Sequence, residues 1–242
     1  MNIRRIWATA LRILQQLRHD PRSLALMIMA PIFLMSILKF VYQGQPNSFQ
    51  LVAGSMLGVF PMLVMFLITS VATLRERTSG TLERLLILPL TKLEFILGYA
   101  KAFGWAALVQ AAIVTSFAIG PLGLKIAGSQ LSLIAVAVLD ALLGMALGLF
   151  VSSFAKTEFQ AVQFMPAILL PQLLLSGLLA PRSSMPRLLE IISNFLPLTY
   201  AIDATRKIIS GAGGFASDFS IIALFLIALL GAGSLSLRRR TK

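Results

Sequence analysis

Long apolar runs alternate with short polar breaks along the whole chain. The runs Ser23 to Tyr42, Leu51 to Leu74, Phe95 to Ile119, Gln130 to Phe154, Ala161 to Leu179 and Phe219 to Leu237 each suffice to cross about 30 Å of hydrocarbon at about 1.5 Å per helical residue. The pattern predicts an all-α integral membrane protein, residues 1–242 forming one transmembrane domain of six spanning helices. Gly54 and Gly58 in the second run, and Gly144 and Gly148 in the fourth, stand four apart, a spacing that serves close helix approach or arises by chance in a Gly-rich chain.

Three polar stretches carry helical patterns of their own. In residues 1–20, Ile3, Ile6, Trp7, Ala10, Leu14 and Leu17 fall on one face, with Arg4, Arg5, Arg12 and Arg18 on or near the other. This predicts a helix lying in the membrane interface, anchored by Trp7 and ended by Asp20-Pro21. Residues 75–94 form a charged island between the second and third runs. Leu82, Leu85, Leu86 and Pro89 recur at i, i+3, i+4 and i+7 beside Glu83 and Arg84, which predicts a short amphipathic helix entered through a sharp turn at Gly80 and ended by Pro89. Residues 180–214 are too polar for two further spans. Met185 to Leu196 and Thr199 to Ile209 read as two short helices in or dipping into the outer leaflet, with Pro197 between them and Asp203 three residues before Arg206.

Composition and charge sharpen the picture. At 57% hydrophobic and 12% charged residues, the chain has too little polar surface for a soluble globule of 242 residues. Its net charge of +12 is spread over loops and termini, which argues for orientation in a bilayer and against nucleic-acid binding. With both termini in the cytoplasm, 15 of the 21 Lys and Arg lie on the cytoplasmic side. No cleavable signal is evident. The absence of cysteine excludes disulfides and thiolate metal sites, and no metal site is expected. No phosphate-cradling G-x-x-x-x-G-K-[ST] loop, H-E-x-x-H zinc helix or G-x-S-x-G elbow occurs, so no catalytic residue is assigned. Asp140 is the one acid well inside a span. It must be paired, protonated or in a polar cavity: a helix-to-helix hydrogen bond, a proton relay or a contact in a transport path.

The island ERTSGTLERLLILPL, Glu76 to Leu90, resembles the E-R-x-x-G-T-L-E-x-L-x-x-x-P stretch of type-2 ATP-binding-cassette (ABC) transporter permeases. Leu173 to Ile208 is similar to the same family's L-S-G-x-x-x-P-x-x-x-M-P…P-L-T-Y-x-x-D-x-x-R signature. The resemblance covers the chain and places it with compact members that lack a large outer domain between spans one and two. It implies a coupling helix that fits a groove on a separate cytoplasmic ATPase, carried by Glu76, Arg77, Gly80, Thr81, Leu82, Glu83, Arg84, Leu85, Leu86 and Pro89. It implies an interfacial helix that also meets that subunit, with Arg4, Arg5, Trp7 and Arg12. Ser176, Gly177, Pro181, Met185 and Pro186, and then Pro197, Leu198, Thr199, Tyr200, Asp203 and Arg206, would form re-entrant outer helices capping the path.

The family works as two permeases with two ATPases, so a second permease copy, as homodimer or related heterodimer, and membrane lipid are implied partners. Spans one, two and five would line the path. ATP and magnesium would be bound by the ATPase and no cofactor by this chain. The inner membrane is the implied location, and export of hydrophobic or amphipathic molecules the implied function. Two other classes stay open from the residues alone: an ion- or proton-coupled secondary transporter using Asp140, and a non-transporting membrane scaffold.

Overall fold

Each apolar run becomes helical because a membrane-buried backbone must satisfy its own N–H and C=O groups. The computed structural model describes residues 2–81 and 91–236, the side chains of residues 92 and 234–236 excepted. Its helices are α1 Ile3–Arg18, α2 Pro21–Val41, α3 Pro46–Met56, α4 Phe60–Thr78, α5 Lys92–Ile119, α6 Gln130–Ser152, α7 Glu158–Leu175, α8 Arg187–Ser193, α9 Pro197–Ser210 and α10 Phe215–Ser236, with a single 3₁₀ turn at Arg182–Ser184. Among the described residues there is no strand. Six segments among the described residues are long and apolar enough to cross a membrane: Pro21–Val41, Pro46–Thr78, Leu93–Ile119, Gln130–Ser152, Glu158–Leu175 and Phe215–Gly233. The protein is a multi-pass, all-α membrane protein.

The second apolar run is not one straight helix. It splits at Leu57–Val59 into α3 and α4, and α4 then continues through Arg75 and Glu76 into the charged island. Its segment is 72% buried, whereas those of α2 and α7 are each 17% buried, so α4 is the axis of the bundle. α4 packs chiefly on α6, α1 lies across α5, and α9 crosses the far end against α3, α6 and α10.

Glycine sets the α4–α6 distance. A Cβ on Gly144 would stand 2.2 Å from the Met62 carbonyl oxygen, and one on Gly148 2.7 Å from that of Phe66. Backbone meets backbone there, so this four-apart pair is a packing device. Gly58 does the same against α9, where a Cβ would come within 2.9 Å of the Ala201 carbonyl, while one on Gly54 would meet the tip of the Ile209 side chain, Cδ1, at 2.6 Å.

The contacts between loops sort them into two ends. Residues 75–81 meet α1 and the α6–α7 turn, through Arg12 to Glu76, Arg77 to the Ser152 carbonyl and Arg75 to Glu158. At the opposite end the 120–129 loop meets Gln50 and the end of α9, with Ala127 and Gly128 donating to the Ile209 and Ile208 carbonyls. Lys39 sits at that opposite end with its ammonium 4.7 Å from the centre of the Phe49 ring.

Candidate functional site

Two acids, one on each flank of the 75–94 segment, hold α1. Glu76 closes the last turn of α4 and is 7% exposed, not presented to water as the sequence suggests. Its Oε1 accepts from Arg12 Nη1 at 2.5 Å and its Oε2 from the Tyr99 hydroxyl. Arg12 therefore faces inward, which corrects its placement on the solvent side of α1: a charged pair is more stable inside than either charge alone. Glu94 forms a capping box with Thr91 at the start of α5, and its Oε1 also accepts the Asn2 amide at 2.6 Å. Between the two acids α1 touches α5 backbone to side chain, since a Cβ on Gly98 would lie 2.6 Å from Thr9.

The buried face of α1 is Ile6, Thr9, Ala10 and Ile13, rotated from the predicted stripe. Ile3 and Trp7 are exposed, and Lys101 places its ammonium 3.3 Å from the Trp7 ring centre, a cation–π contact that holds the indole against α5. Arg4 is exposed and Arg5 approaches Glu94 at 3.8 Å.

The rest of the segment's entry is also tied down. Arg75 grips Glu158 through two bonds of 2.8 and 3.1 Å and lies 3.7 Å from Asp20. Arg77 donates to the Ser152 carbonyl. Gly80 adopts φ +70 and its amide closes on the Arg77 carbonyl, so the helix ends in the left-handed turn that glycine favours. Thr81 follows; Leu82, Glu83, Arg84, Leu85, Leu86 and Pro89 lie outside the described residues. Beside this junction a cavity of about 550 Å³ opens between α1, α2, α4, α5 and α7. Leu26, Leu67, Ile68, Val71 and Phe103 belong to its apolar lining, and Asp20, Arg22, Ser23, Arg75 and Glu76 to its polar lining.

At the opposite end one polar cluster joins the α7 terminus to α8 and α9. Arg182 donates to Ser193 Oγ at 3.0 Å, to Asp203 Oδ2 at 3.1 Å and to Asn194 Oδ1. Arg206 donates to Ser55 Oγ at 2.8 Å and to the Gly177 carbonyl at 3.0 Å. Thr199 and Tyr200 donate to the Ser193 and Asn194 carbonyls, and the Leu198 amide to Gln172. Burial outweighs Arg182 at Asp203 and holds that carboxyl above its usual range, while burial draws the Arg206 guanidinium down. Gly177 takes φ +84 with Arg182 Cγ packed over it, Ser176 is buried beside it, and Pro197 starts α9. Pro181, Met185 and Pro186 shape the strap around α8, whose Leu188, Ile191 and Ile192 are exposed with the neighbouring Phe195.

The sequence matches the ABC-2 type transporter family over residues 4–210. The chain belongs to that family. It is 31% identical over 157 residues to the probable multidrug ABC transporter permease YbhR of Escherichia coli (strain K12), covering 65% of this chain and 43% of that protein. It is 29% identical over 206 residues to the ABC transporter G family member 20 of Dictyostelium discoideum, covering 82% of this chain and 28% of that protein. The inner membrane transport permease YhhJ of E. coli (strain K12) is 30% identical over 155 residues, covering 63% of this chain and 41% of that protein. The chain thus spans less than half the length of these relatives.

In this ABC-2 protein Asp140 sits apart from both ends. It is 0% exposed, and its Oδ2 accepts from the Met62 amide at 3.2 Å. Met62 lies in the first turn of α4, where helix amides lack intrahelical acceptors, so Asp140 supplies from α6 the cap that the α3–α4 break requires. Sequence reasoning missed three participants: Tyr99, Arg182 and Ser55. Arg182 had a visible signal, a lone Arg beside the L-S-G motif, but its partners lie 11 to 21 residues away and only folding unites them.

Proposed function

We propose that the chain is one transmembrane permease domain, residues 1–242, of an ATP-driven ABC exporter. It moves hydrophobic or amphipathic small molecules, drugs or lipid-like substrates out of the cytoplasm, and a separate ATPase that binds ATP and magnesium supplies the energy. Family membership supports the class, and one observation supports the mechanism: α1 is bonded to both flanks of residues 75–94, at Glu76 and at Glu94. A partner that pushes the amphipathic segment therefore pushes α1, α4 and α5 together, as rigid-body coupling requires.

Residues 82–90 make the groove contact in this reading, with Glu83 and Arg84 as its polar contacts. The apolar outer faces of α2 and α7, with Phe33, Ile37, Leu170 and Leu174 exposed, meet a second copy and lipid. The end carrying α1 faces the cytoplasm, with both termini, across the inner membrane. The cluster of Arg182, Asp203 and Arg206 caps the path on the outside.

The test is co-expression with a candidate ATPase and purification through a tag on this chain. Leu85→Asp or Glu83→Lys should abolish co-purification and ATP turnover while membrane insertion persists. Unchanged co-purification of both variants would sink the coupling assignment.

A further inference from the structure

The polar lining of the 550 Å³ cavity is chemically asymmetric. Its two acids are already occupied. Asp20 accepts from the Ser23 amide at 3.2 Å and the Ser23 hydroxyl at 2.7 Å, with Arg75 at 3.7 Å, and Glu76 is filled by Arg12 and Tyr99. Of its two cations, Arg75 is taken up by Glu158. Arg22 is the exception: among the described residues its guanidinium has no ion pair or hydrogen bond. The same cavity is lined by Leu26, Val71 and Phe103, and its volume lies within the roughly 300–1,000 Å³ usual for small-ligand sites. A cation at a largely apolar slot, with no free carboxylate beside it among the described residues, fits a ligand with one anionic head and one hydrocarbon tail.

We propose that this cavity takes anionic single-chain amphiphiles from the adjoining leaflet, the head on Arg22 and the tail between Leu26, Val71 and Phe103, and that these are the substrate class of the permease. The inference rests on the permease reading. It selects against lipophilic cations, which would bring a positive head to Arg22 and find Asp20 and Glu76 both engaged.

The experiment uses the full chain in phosphatidylcholine nanodiscs with three photoactivatable sixteen-carbon probes: a carboxylate, an alkyl ammonium and an alcohol. Peptide mass spectrometry locates the cross-links. The carboxylate should label α2 and α4 around Leu26 and Val71, about tenfold more than the ammonium, the weight of one charge-assisted hydrogen bond. Arg22→Gln should reduce that preference to near unity and Arg22→Lys should keep most of it, while Val71→Trp, which fills the slot, should remove labelling by all three. Competition by unlabelled hexadecanoate on the unsubstituted chain gives the same answer without relying on any variant's folding. Equal labelling by carboxylate and ammonium, or cross-links confined to the outer faces of α2 and α7, would overturn the proposal.

In the ATPase complex, hexadecanoate should raise ATP turnover in the unsubstituted protein and not in Arg22→Gln. Labelling without that stimulation would make the ligand a resident lipid and refute the substrate claim. Failure of any ATPase to co-purify would instead strike the permease reading, and the labelling arms would still decide the cavity's ligand.

Discussion

Removing Arg12 while Glu76 stays in place tests the anchoring of α1 directly. The pair lies at 2.5 Å with side-chain exposures of 26% and 8%, so Arg12→Leu leaves a carboxylate with only neutral donors, the Tyr99 hydroxyl and the Gln16 side-chain amide, among the described residues. Breaking a fully buried pair costs about 3–5 kcal/mol, and the partial exposure of Arg12 lets water take up some of that, giving about 2–3 kcal/mol. At about 2–4 °C per kcal/mol, the thermal midpoint should fall by roughly 5–10 °C. Glu76→Gln keeps an acceptor for the Tyr99 hydroxyl and removes the charge, so the double variant Arg12→Leu/Glu76→Gln should recover to within about 1 kcal/mol of the parent. Heating in detergent followed by size-exclusion of the remaining monodisperse protein reads the midpoints of all four members of the cycle. A double variant as unstable as the sum of the singles would refute a direct pair, and an unperturbed Arg12→Leu would remove Arg12 from the anchor altogether.

Other substitutions isolate other contacts. Gly144→Ala places a Cβ into the Met62 backbone and should cost about 1–3 kcal/mol by forcing α4 and α6 apart, whereas Gly104→Ala, whose Cβ meets Leu142 at 3.4 Å, should be neutral in the same melting assay. Asp140→Asn retains an acceptor for the Met62 amide and should be tolerated for stability and turnover. Asp140→Leu orphans that amide at about 1–3 kcal/mol, and loss of turnover in Asp140→Asn with normal expression would point to an ionisable role instead. Asp203, held above its ordinary value of 3.8 chiefly by burial, binds a proton more tightly folded than unfolded, so its contribution to stability falls as pH rises from 3.8 through the folded value. Asp203→Asn should therefore flatten that part of the stability-versus-pH curve relative to the parent, and identical curves would contradict the shift.

The six spans were legible because they depend on local composition, and their observed ends fall within about five residues of the apolar runs. The break at Leu57–Val59 was not. Apolar sequence runs straight through it, and the group that satisfies the broken helix, Asp140, lies 78 residues further on. The same reason explains Glu76, Arg12 and Arg77, which read as solvated charges in a polar loop until α1, Tyr99 and the Ser152 carbonyl are brought to them. The α1 stripe was misjudged by part of a turn because Trp7 and Ile3 are as hydrophobic as Ile13, and only the packing of Thr9 on Gly98 decides which face turns inward. In the cluster around α9 the family motif marked Asp203 and Arg206, while their partners Arg182 and Ser55, and Gln172, which accepts the Leu198 amide, carried no signal of comparable strength.

The contacts converge on α4 in a way that bears on coupling. Asp140 holds its first turn, Gly144 and Gly148 bring α6 against its middle at backbone distance, and Arg12 with Tyr99 holds its last turn. A helix fixed at three levels by directional or steric contacts has few ways to bend, so displacement at one end reaches the other as tilt. The break at Leu57–Val59 lies beyond the uppermost of these contacts. It leaves α3 attached instead to α9, through Gly54, Gly58 and the bond from Arg206 to Ser55. Motion delivered through residues 75–81 would therefore move α4 against α3 at that break, next to the polar cluster of Arg182, Asp203 and Arg206. The α3–α4 junction, with the Met62 amide capped by Asp140, is then where the two ends of the molecule change their relation during a cycle.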